Sequence, residues 1–488
     1  MLTAALVAMI VFPALAAVVL GLVPGPGWRR ALAAVVAAVV AGVAVYATFT
    51  VGPTTFREAL GELPWLAGIT GTAVFGVLLD PLASVMLLVA TIIGFLTVLF
   101  STRYVGTGNR EHPIEPADER RYYFWLLVFL ASMVGVATAP NLLQLLVFWE
   151  LTTVCSWALI SYYRSESSLK AGYKALLMTH VGGLFFLFAV LIVMVEAGSV
   201  EFRALAELSE RSRLVVFLLL VVAAWAKAAQ VPIHTWLPDA MEAPTPISAY
   251  LHAAAMVKAG VFLMARTVSA GWAMPPAAAW VLGAAALVTM FVALSYYFIQ
   301  DDLKRLLAYS TISHLGYVLL GVALGALGSL TAFRGAVLHI ACHGFAKATL
   351  FFCAGAVAYA CGTRSIRSLS GLARTMPLVA VAFFVGVLAT TGVPPFACFW
   401  SKFMLLAGAM ELTGAVGPTL LVLVLVESLI AFGWMIHVGQ RMFFGAASPE
   451  ASPGSDPPPA MSAVLVILIA GCLLAPVLAM PFVGWIGR

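Results

Sequence analysis

The sequence predicts an all-α polytopic membrane protein with about fourteen transmembrane helices, two of them broken. Hydrophobic residues make up 63% of the 488 residues and charged residues 10%, whereas soluble domains have about 45–50% apolar and about 25% charged residues. The chain also contains many apolar runs of the roughly 20 residues that a spanning helix needs. These two observations exclude an ordinary soluble protein, and prolines inside two of the runs predict the breaks.

The predicted spans follow one another with short connections. The first begins at the N-terminus without a preceding basic segment, so we interpret it as a transmembrane helix and not as a signal peptide. The longest connections, 102–120 and 443–459, are polar linkers that leave no room for nucleotide, flavin or iron–sulfur cluster binding, and we expect no cofactor. The predicted spans are 2–23, 31–51, 80–101, 121–139, 141–162, 171–196, 213–242 (broken), 246–268, 274–299, 303–325, 330–358, 376–408 (broken), 416–442 and 460–484.

The distribution of basic residues predicts the orientation. The connections that follow odd-numbered spans carry fourteen Lys and Arg residues, and those that follow even-numbered spans carry six. Cytoplasmic loops are the ones enriched in Lys and Arg, so both termini are expected on the outer side of a plasma membrane. The net charge of +5 is small for this length and spread along the loops, so it does not indicate a nucleic-acid partner.

Both predicted breaks lie beside a lysine. Lys227 precedes Pro232 in span 7, and Lys402 follows Pro395 in span 12. Proline removes a backbone donor, and a broken helix inside a membrane is tolerated only where protein or water satisfies the freed groups. Matching interrupted helices in two halves of a chain indicate a transporter site near the bilayer midplane.

Glu150 is the only charged residue between Arg121 and Arg164. A charged group in a transmembrane segment is costly and is functional by default, although a structural ion pair is the simpler alternative. We expect Lys227 on a neighbouring helix to be its partner. Opposite charges change each other's proton affinity, so such a pair can act as a switch.

Two other spans carry ionisable residues that point in different directions. Lys174 and His180 in span 6 lie six residues apart, about 240° round a helix, as do His252 and Lys258 in span 8. For Lys174 the alternative is a side chain that reaches the cytoplasmic interface, and for His180 it is a core histidine. The second pair lies in mid-span and is expected to link different neighbours. Asp239 and Glu242, near prolines, are interpreted as helix caps or loop contacts.

His339, His343 and Lys347 form a stripe on span 11. Their spacing of four residues advances about 40° at each step, which places all three on one face. A lysine on that face argues against a metal site, and a histidine pKa near roughly 6.5 suits proton relay. Satisfied core polar groups are the alternative interpretation.

Further polar residues and the cysteines complete the set of candidates. Lys304 at the start of span 10, and His314 and Glu427 in mid-span, are candidates with weaker support. The six cysteines, at 155, 342, 353, 361, 398 and 472, have no CxxC spacing, so we expect packing residues and no metal site.

Several segments carry a family resemblance. FWELTTVCSWALISYY, AGYKALLMTHVGG, HTWLPDAMEAPTPISAYLHAAAMVKAG, LKRLLAYSTISHLGYVLLG, HIACHGFAKATLFFCAG and GVPPFACFWSKF occur in this order over about residues 75–445. They resemble the antiporter-like proton-translocating subunits of complex I, membrane-bound hydrogenases and Mrp-type multisubunit cation/proton antiporters. The Mrp large subunit and the hydrogenase-type members are the most similar.

The resemblance implies two inverted five-helix repeats, helices 4–8 and 9–13. The implied organisation is a three-helix segment (1–120), a first repeat (121–268), a second repeat (274–442) and a final helix (460–488). On matching positions it implies Glu150 and Lys227 as a paired switch, His252 and Lys258 as connectors, and Lys402 as the terminal lysine. His339, His343 and Lys347 are implied as the central relay.

The chain also departs from relatives of this kind. It lacks the C-terminal lateral helix of the distal complex I subunit, and Gly183 stands where that subunit tends to have an acid. The resemblance implies a proton-translocating subunit without a redox centre, working with other membrane subunits. No carboxylate cluster suitable for Na⁺ is found, so Na⁺ exchange is left to the complex. The alternatives are a proton-conducting partner in inorganic-carbon uptake and a scaffolding subunit without transport.

Overall fold

The computed structural model describes residues 1–23, 25–61, 75–115, 118–452 and 454–487, and it is predominantly helical. The helices of the first part are α1 (Leu2–Leu20), α2 (Pro26–Val51), α3 (Pro81–Tyr104), α4 (Glu119–Thr138), α5 (Leu142–Ile160), α6 (Glu166–Ala197), α7 (Glu210–Lys227), α8 (Trp236–Asp239), α9 (Thr245–Ala253) and α10 (Met256–Ser269). Those of the second part are α11 (Pro276–Ser295), α12 (Leu303–Ala326), α13 (Leu330–Cys361), α14 (Leu372–Thr375), α15 (Pro377–Thr391), α16 (Ala397–Ala409), α17 (Val416–Phe443) and α18 (Pro459–Trp485). Three 3₁₀ helices lie at Phe202–Ala206, Ala240–Glu242 and Tyr296–Ile299.

The prediction of an all-α polytopic membrane protein is confirmed. Twelve helical segments in the described ranges are long and apolar enough to cross a membrane, with α9 and α10 taken together as one. Predicted spans 7 and 12 are not among the twelve. The helix of span 7, α7, carries four charged residues in its 18, and span 12 is divided into the shorter helices α15 and α16. The count of fourteen therefore stays a prediction.

Both proline-rich segments interrupt a helix where the sequence predicts it. Helix α7 ends at Lys227, and turns lead to α8. The Trp236 indole donates to the Ala226 carbonyl at 3.0 Å, and Gln230 donates to the Ala228 carbonyl at 2.9 Å. Side chains thus satisfy carbonyl groups near the end of the helix, as a break inside a membrane requires. Helix α15 ends at Thr391, before α16.

Span 8 contains a break that the sequence does not predict. The expected helix 246–268 is divided at Ala254 and Ala255, whose amide groups both donate to the carbonyl of Tyr250, at 3.1 and 2.9 Å. The carbonyl of Ala253 then lies against α13, 3.1 Å from where a Cβ at Gly344 would stand. Neither proline nor glycine occurs between 247 and 259. The break is therefore caused by tertiary packing, and the local sequence does not predict it.

A pair of antiparallel strands between α2 and α3 was also not predicted. Strand β1 (Phe56–Gly61) pairs with β2 (Phe75–Leu79). The amide side chain of Gln144 accepts from the Gly76 amide and donates to its carbonyl, both at 2.9 Å. This pair of bonds ties β2 to the beginning of α5.

Helix α13 lies at the centre of the helical bundle. It packs against α3, α9, α12, α15, α16 and α18, and most of its 32 residues are buried. Polar residues on this helix therefore face other helices and not lipid. This placement is why the stripe at 339, 343 and 347 becomes part of an internal site.

A cluster of loop charges joins the ends of α3, α12 and α13. Arg364 pairs with Glu111 at 2.7 Å and with Asp302 at 2.6 Å. Burial opposes the charge on Arg364, but the two carboxylates outweigh it and raise the pKa of the guanidinium above its usual value. Asp302 also accepts from the Arg305 amide as the N-cap of α12, which confirms the predicted helix start.

The contact between α13 and α16 predicts the effect of a methyl group at Gly408. A Cβ there would lie 2.2 Å from the backbone nitrogen of Ala332, so the helices must separate. We expect Gly408→Ala to lower the free energy of unfolding by about 1–3 kcal/mol. Thermal unfolding in detergent checks this. The control is Gly433→Ala, because a Cβ at Gly433 meets nothing within 4 Å; equal unfolding midpoints for the two variants would contradict the packing described.

Candidate functional site

Five lysines are buried among the helices, and each is held by backbone carbonyl groups. They are Lys227, Lys258, Lys304, Lys347 and Lys402. Each ammonium nitrogen donates to at least one carbonyl oxygen of a different helix or turn. Within the ranges that the structure describes, none of the five lies within 4.0 Å of a carboxylate oxygen.

The two lysines beside the predicted breaks have similar surroundings. Lys227 Nζ donates to the Trp149 carbonyl at 2.9 Å and to Thr153 Oγ1 at 2.6 Å. Lys402 Nζ donates to the Thr391 carbonyl at 3.1 Å and to Ser428 Oγ at 2.9 Å. Each therefore has one carbonyl and one hydroxyl, and each also lies over an aromatic ring.

The other three buried lysines connect elements around α12 and α13. Lys258 donates to the carbonyl of Ile340, and Lys347 donates to Ser310 and, at 3.5 Å, to the carbonyl of Leu307. Lys304 donates to two carbonyls of the turn after α8, those of Met241 at 2.7 Å and Ala243 at 2.6 Å. The broken segment after α7 thus supplies ligands for a lysine from the second half of the chain.

Glu150 does not form the expected direct pair with Lys227. Its Oε2 lies 2.9 Å from His180 Nδ1. The two groups are neighbours without touching: Lys227 bonds the carbonyl of residue 149, and the carboxylate of residue 150 points away, towards α6. Gly183 is the physical reason, because a Cβ there would lie 1.7 Å from Glu150 Oε1. The absence of a side chain at 183 lets the carboxylate turn to His180.

Three histidines meet at the middle of the second half. His314 Nδ1 lies 3.1 Å from His339 Nε2, and His339 Nδ1 lies 2.8 Å from Ser401 Oγ. The ring of His343 is stacked 5.1 Å from His314 and 5.8 Å from His339. The predicted stripe on span 11 is therefore brought together with His314, which the sequence supported only weakly.

The remaining predicted histidine lies at the edge of this cluster. His252 is buried and stacks on Phe351 of α13 at 4.7 Å. In the described part of the chain, neither ring nitrogen of His252 or His343 has a hydrogen-bond partner. Buried polar atoms are normally paired with protein or water, so these four nitrogens are exceptions to that rule.

A network around Glu427 was missed in large part by the sequence analysis. Ser313 donates to Glu427 Oε1 at 2.6 Å, and Tyr317 donates to Oε2. Tyr317 also lies 2.8 Å from Ser428, which accepts from Lys402. Lys402 is thus linked to a buried carboxylate through two hydroxyls. Only the carboxylate had a sequence signal, because serine and tyrosine are common in apolar spans.

Lys174 lies apart from the buried lysines. It forms an ion pair with Asp239 at 2.6 Å, and both side chains are partly exposed. This contact joins α6 to α8, so Asp239 makes the loop contact that the sequence analysis favoured. A role for Lys174 in transport stays a prediction.

Comparison with known proteins identifies the family. Residues 139–431 match the family described as NADH:quinone oxidoreductase/Mrp antiporter, transmembrane. The chain belongs to this family. Residues 65–111 match the N-terminus of chain 5 of NADH-ubiquinone oxidoreductase (complex I). The predicted resemblance is therefore confirmed, and the chain is a multi-pass membrane protein.

Relatives come from antiporters and from respiratory-type complexes. Identity is 35% over 429 residues with the A1 subunit of the Na(+)/H(+) antiporter of Staphylococcus haemolyticus, which covers 82% of this chain and 51% of the relative. It is 37% with the A/B subunit of a probable K(+)/H(+) antiporter of Rhizobium meliloti, over 84% of this chain and 41% of the relative. It is 36% with subunit 5 of the chloroplast NAD(P)H-quinone oxidoreductase of Carthamus tinctorius, over 69% and 46%. The chain spans about half the length of these relatives.

Two solved structures share the fold. A chain of the Mrp complex from Dietzia sp. DQ12-45-1b has a TM-score of 0.86 and 29% identity, and the match covers 100% of this chain and 52% of that one. A chain of the membrane-bound sulfane sulfur reductase, an archaeal respiratory membrane complex, has a TM-score of 0.83 and 25% identity, over 99% and 96%.

The contact between Glu150 and Gly183 predicts different outcomes for two adjacent glycines. Gly183→Ala meets only the end of a flexible side chain, so we expect the carboxylate to leave His180 with less than about 1 kcal/mol lost in the free energy of unfolding. Gly182→Ala meets Ala226 Cβ at 2.4 Å and should cost about 1–3 kcal/mol.

Imidazole ¹⁵N signals of histidine-labelled protein and thermal unfolding in detergent measure the two effects. The His180 signal should shift in Gly183→Ala. An unshifted signal, or equal destabilisation by both substitutions, would contradict the geometry around Glu150.

Proposed function

We propose that this chain conducts protons across the membrane as one subunit of a larger complex. The observation that carries the proposal is a set of buried lysines and histidines on separate helices, in which each lysine is held by neutral oxygen atoms. Such ionisable groups inside a membrane protein mark proton relays and ion pathways. Membership of the antiporter family supports the same function, because the relatives include antiporter subunits.

The proposed path has a switch, a central relay and a terminal lysine. Glu150 and Lys227 form the switch, with His180 as an alternative partner that holds the carboxylate when it turns from the lysine. His252 and Lys258 connect the switch to the relay of His339, His343 and Lys347 on α13. Lys402 ends the path, and Ser428 and Tyr317 pass charge between it and Glu427.

Water completes the path at histidines without protein partners. The ring nitrogens of His252 and His343 are buried and unpaired in the part of the chain described. Water bound there would bridge α9 and α13, since a proton moves only between groups in hydrogen-bond contact or joined by water. Lys174 and Asp239 are assigned to the cytoplasmic mouth.

The two halves of the path are proposed to be inverted repeats. The matching surroundings of Lys227 and Lys402, each beside a break with one carbonyl and one hydroxyl, support this division. The repeats comprise 121–268 and 274–442, between the segments 1–120 and 460–488. The excess of Lys and Arg in odd-numbered loops supports a plasma-membrane protein with both termini outside.

The parent complex is proposed to be an Mrp-type cation/proton antiporter or a related hydrogenase-like or complex I-like assembly. The names of the relatives and the two structural matches support these assemblies. Other membrane subunits are then the partners, and oxidation or reduction takes place elsewhere in the complex. A scaffolding role alone leaves the five carbonyl-bound lysines without a reason, since an apolar residue would pack there at lower cost.

Substitution of the two lysines at the breaks tests the proposal. Removing a group that transfers protons typically costs about 10²–10⁴-fold in rate, so Lys227→Ala and Lys402→Ala should each reduce proton flux by roughly 10²-fold or more. Flux is measured with a pH-sensitive dye in vesicles that contain the assembled complex. Lys170→Ala is the control, because Lys170 is exposed and pairs with the exposed Glu166. Unchanged flux in both variants with intact assembly would leave the scaffolding function.

A further inference from the structure

His339 of the relay and the neighbouring His314 lie beside a cysteine from a third helix. His314 on α12, His339 on α13 and Cys398 on α16 each offer one ligand atom, and these atoms all lie within 4.8 Å of one another. All three residues are buried. The sequence predicts no metal site, because the residues are 25 and 59 positions apart and share no spacing motif. Only folding of the chain brings the three residues together.

The spacing of the ligand atoms suits a small d¹⁰ metal ion. Bonds of about 2.0–2.1 Å to nitrogen and about 2.3 Å to sulfur keep the ligands of such an ion roughly 3.3–4.0 Å apart. His314 Nδ1 and His339 Nε2 are already 3.1 Å apart. Lengthening this contact from 3.1 Å to roughly 3.3–4.0 Å would therefore let both nitrogens bind one ion.

An outer contact orients one of the ligands. His339 Nδ1 lies 2.8 Å from Ser401 Oγ, one turn from Cys398 on the same helix. Metal-binding histidines nearly always donate their second ring N–H to such an oxygen, which fixes the tautomer and leaves the other nitrogen free to bind. Ser401 thus presents His339 Nε2 to the cluster.

Charge selects the metal. Two buried lysines lie close to His339. Lys258 donates to the carbonyl of the next residue, Ile340, and Lys402 lies over the Tyr317 ring, which is 5.6 Å from the His339 ring. A divalent ion with one thiolate would add a positive charge among them, whereas Cu⁺ with one thiolate adds none. Thiolate is a soft ligand that favours Cu⁺, and two histidines with one cysteine form the trigonal donor set of copper sites. The uncompensated charge of Zn²⁺ would be costly at this depth.

A cavity provides a path towards the cluster. It has a volume of about 400 Å³ and is lined by Thr391, Phe399, Lys402 and Ser428, among others. Lys402 lies over Tyr317 at 4.4 Å, and the Tyr317 ring is 5.4 Å from that of His314. Lys402 and Tyr317 therefore lie between this cavity and the cluster.

We propose that His314, His339 and Cys398 form a buried Cu⁺ site whose occupation stops proton relay. Cu⁺ replaces the proton of the Cys398 thiol, which leaves as H⁺, and binds one nitrogen of each neutral imidazole. The His314–His339 hydrogen bond is lost. Binding is independent of the proposed transport function, but its effect on flux rests on that function, because His339 must be a relay group for its capture to matter.

Binding is tested with the full chain in detergent under anaerobic conditions, with Cu⁺ kept reduced by ascorbate. We expect one Cu⁺ per chain, about one proton released, and one sulfur with two nitrogen neighbours in copper X-ray absorption. Ser401→Ala should weaken binding by roughly 10–100-fold, and Cys398→Ala by more. Cys353→Ala is the control: Cys353 is a buried cysteine on α13 that contacts the Val379 carbonyl.

Different outcomes test the binding site, the choice of metal and the effect of binding on proton flux. Equal Cu⁺ affinity in Cys398→Ala and the native chain, or a copper spectrum without sulfur, overturns the site. If the alanine variant does not fold, Cys398→Ser, which is closer to cysteine in volume, answers the same question. Tighter binding of Zn²⁺ by the same residues overturns the choice of Cu⁺. In vesicles, Cu⁺ should abolish flux in Cys353→Ala but not in Cys398→Ala. Intact flux with Cu⁺ bound overturns the effect and the relay role of His339, and leaves the site standing.

Discussion

Holding a buried ammonium group without bulk water is the constraint on which the rest of this structure depends. Moving such an ion out of water costs several kcal/mol even after relaxation, and a carboxylate partner would fix the charge in place. The five buried lysines instead donate to carbonyl groups, as with Lys402 and Thr391 at the end of α15 or Lys304 and the turn after α8. Helix breaks therefore supply the free carbonyl groups that hold these buried lysines, so the breaks and the lysines are parts of one arrangement.

The two halves use this arrangement differently. In the first half the carboxylate, Glu150, is partly exposed and bound to His180, which is half exposed. In the second half the carboxylate, Glu427, is buried and held by Ser313 and Tyr317. The carboxylate of the first half thus meets the surface of the chain, whereas that of the second half lies inside. A proton path needs both an internal series and an end that another subunit can reach.

The features predicted correctly from the sequence are those that depend on residues close together in the chain. Prolines predicted the helix breaks after Lys227 and Thr391. A spacing of four residues predicted that His339, His343 and Lys347 lie on one face of α13. The break at Ala254 had no signal, because close packing against Gly344 causes it. Glu150 contacts His180 and does not touch Lys227, and this contact depends on space at Gly183. The cluster of His314, His339 and Cys398 was missed because it joins three helices. Contacts between helices depend on how their surfaces pack together, and a single sequence does not show that packing.

The central claim is that four of the buried lysines, Lys227, Lys258, Lys347 and Lys402, belong to one continuous path, and Lys258 at its middle tests this most directly. The measurement is the initial rate of proton translocation by vesicles with the assembled complex, compared between Lys258→Met and Lys170→Met at equal amounts of complex. Methionine keeps the length of the side chain, so the helices remain packed while the proton carrier is lost. We expect the first variant to translocate at most about a hundredth of the native rate and the second to match it. Native rates in both would show that the lysines do not form a single path.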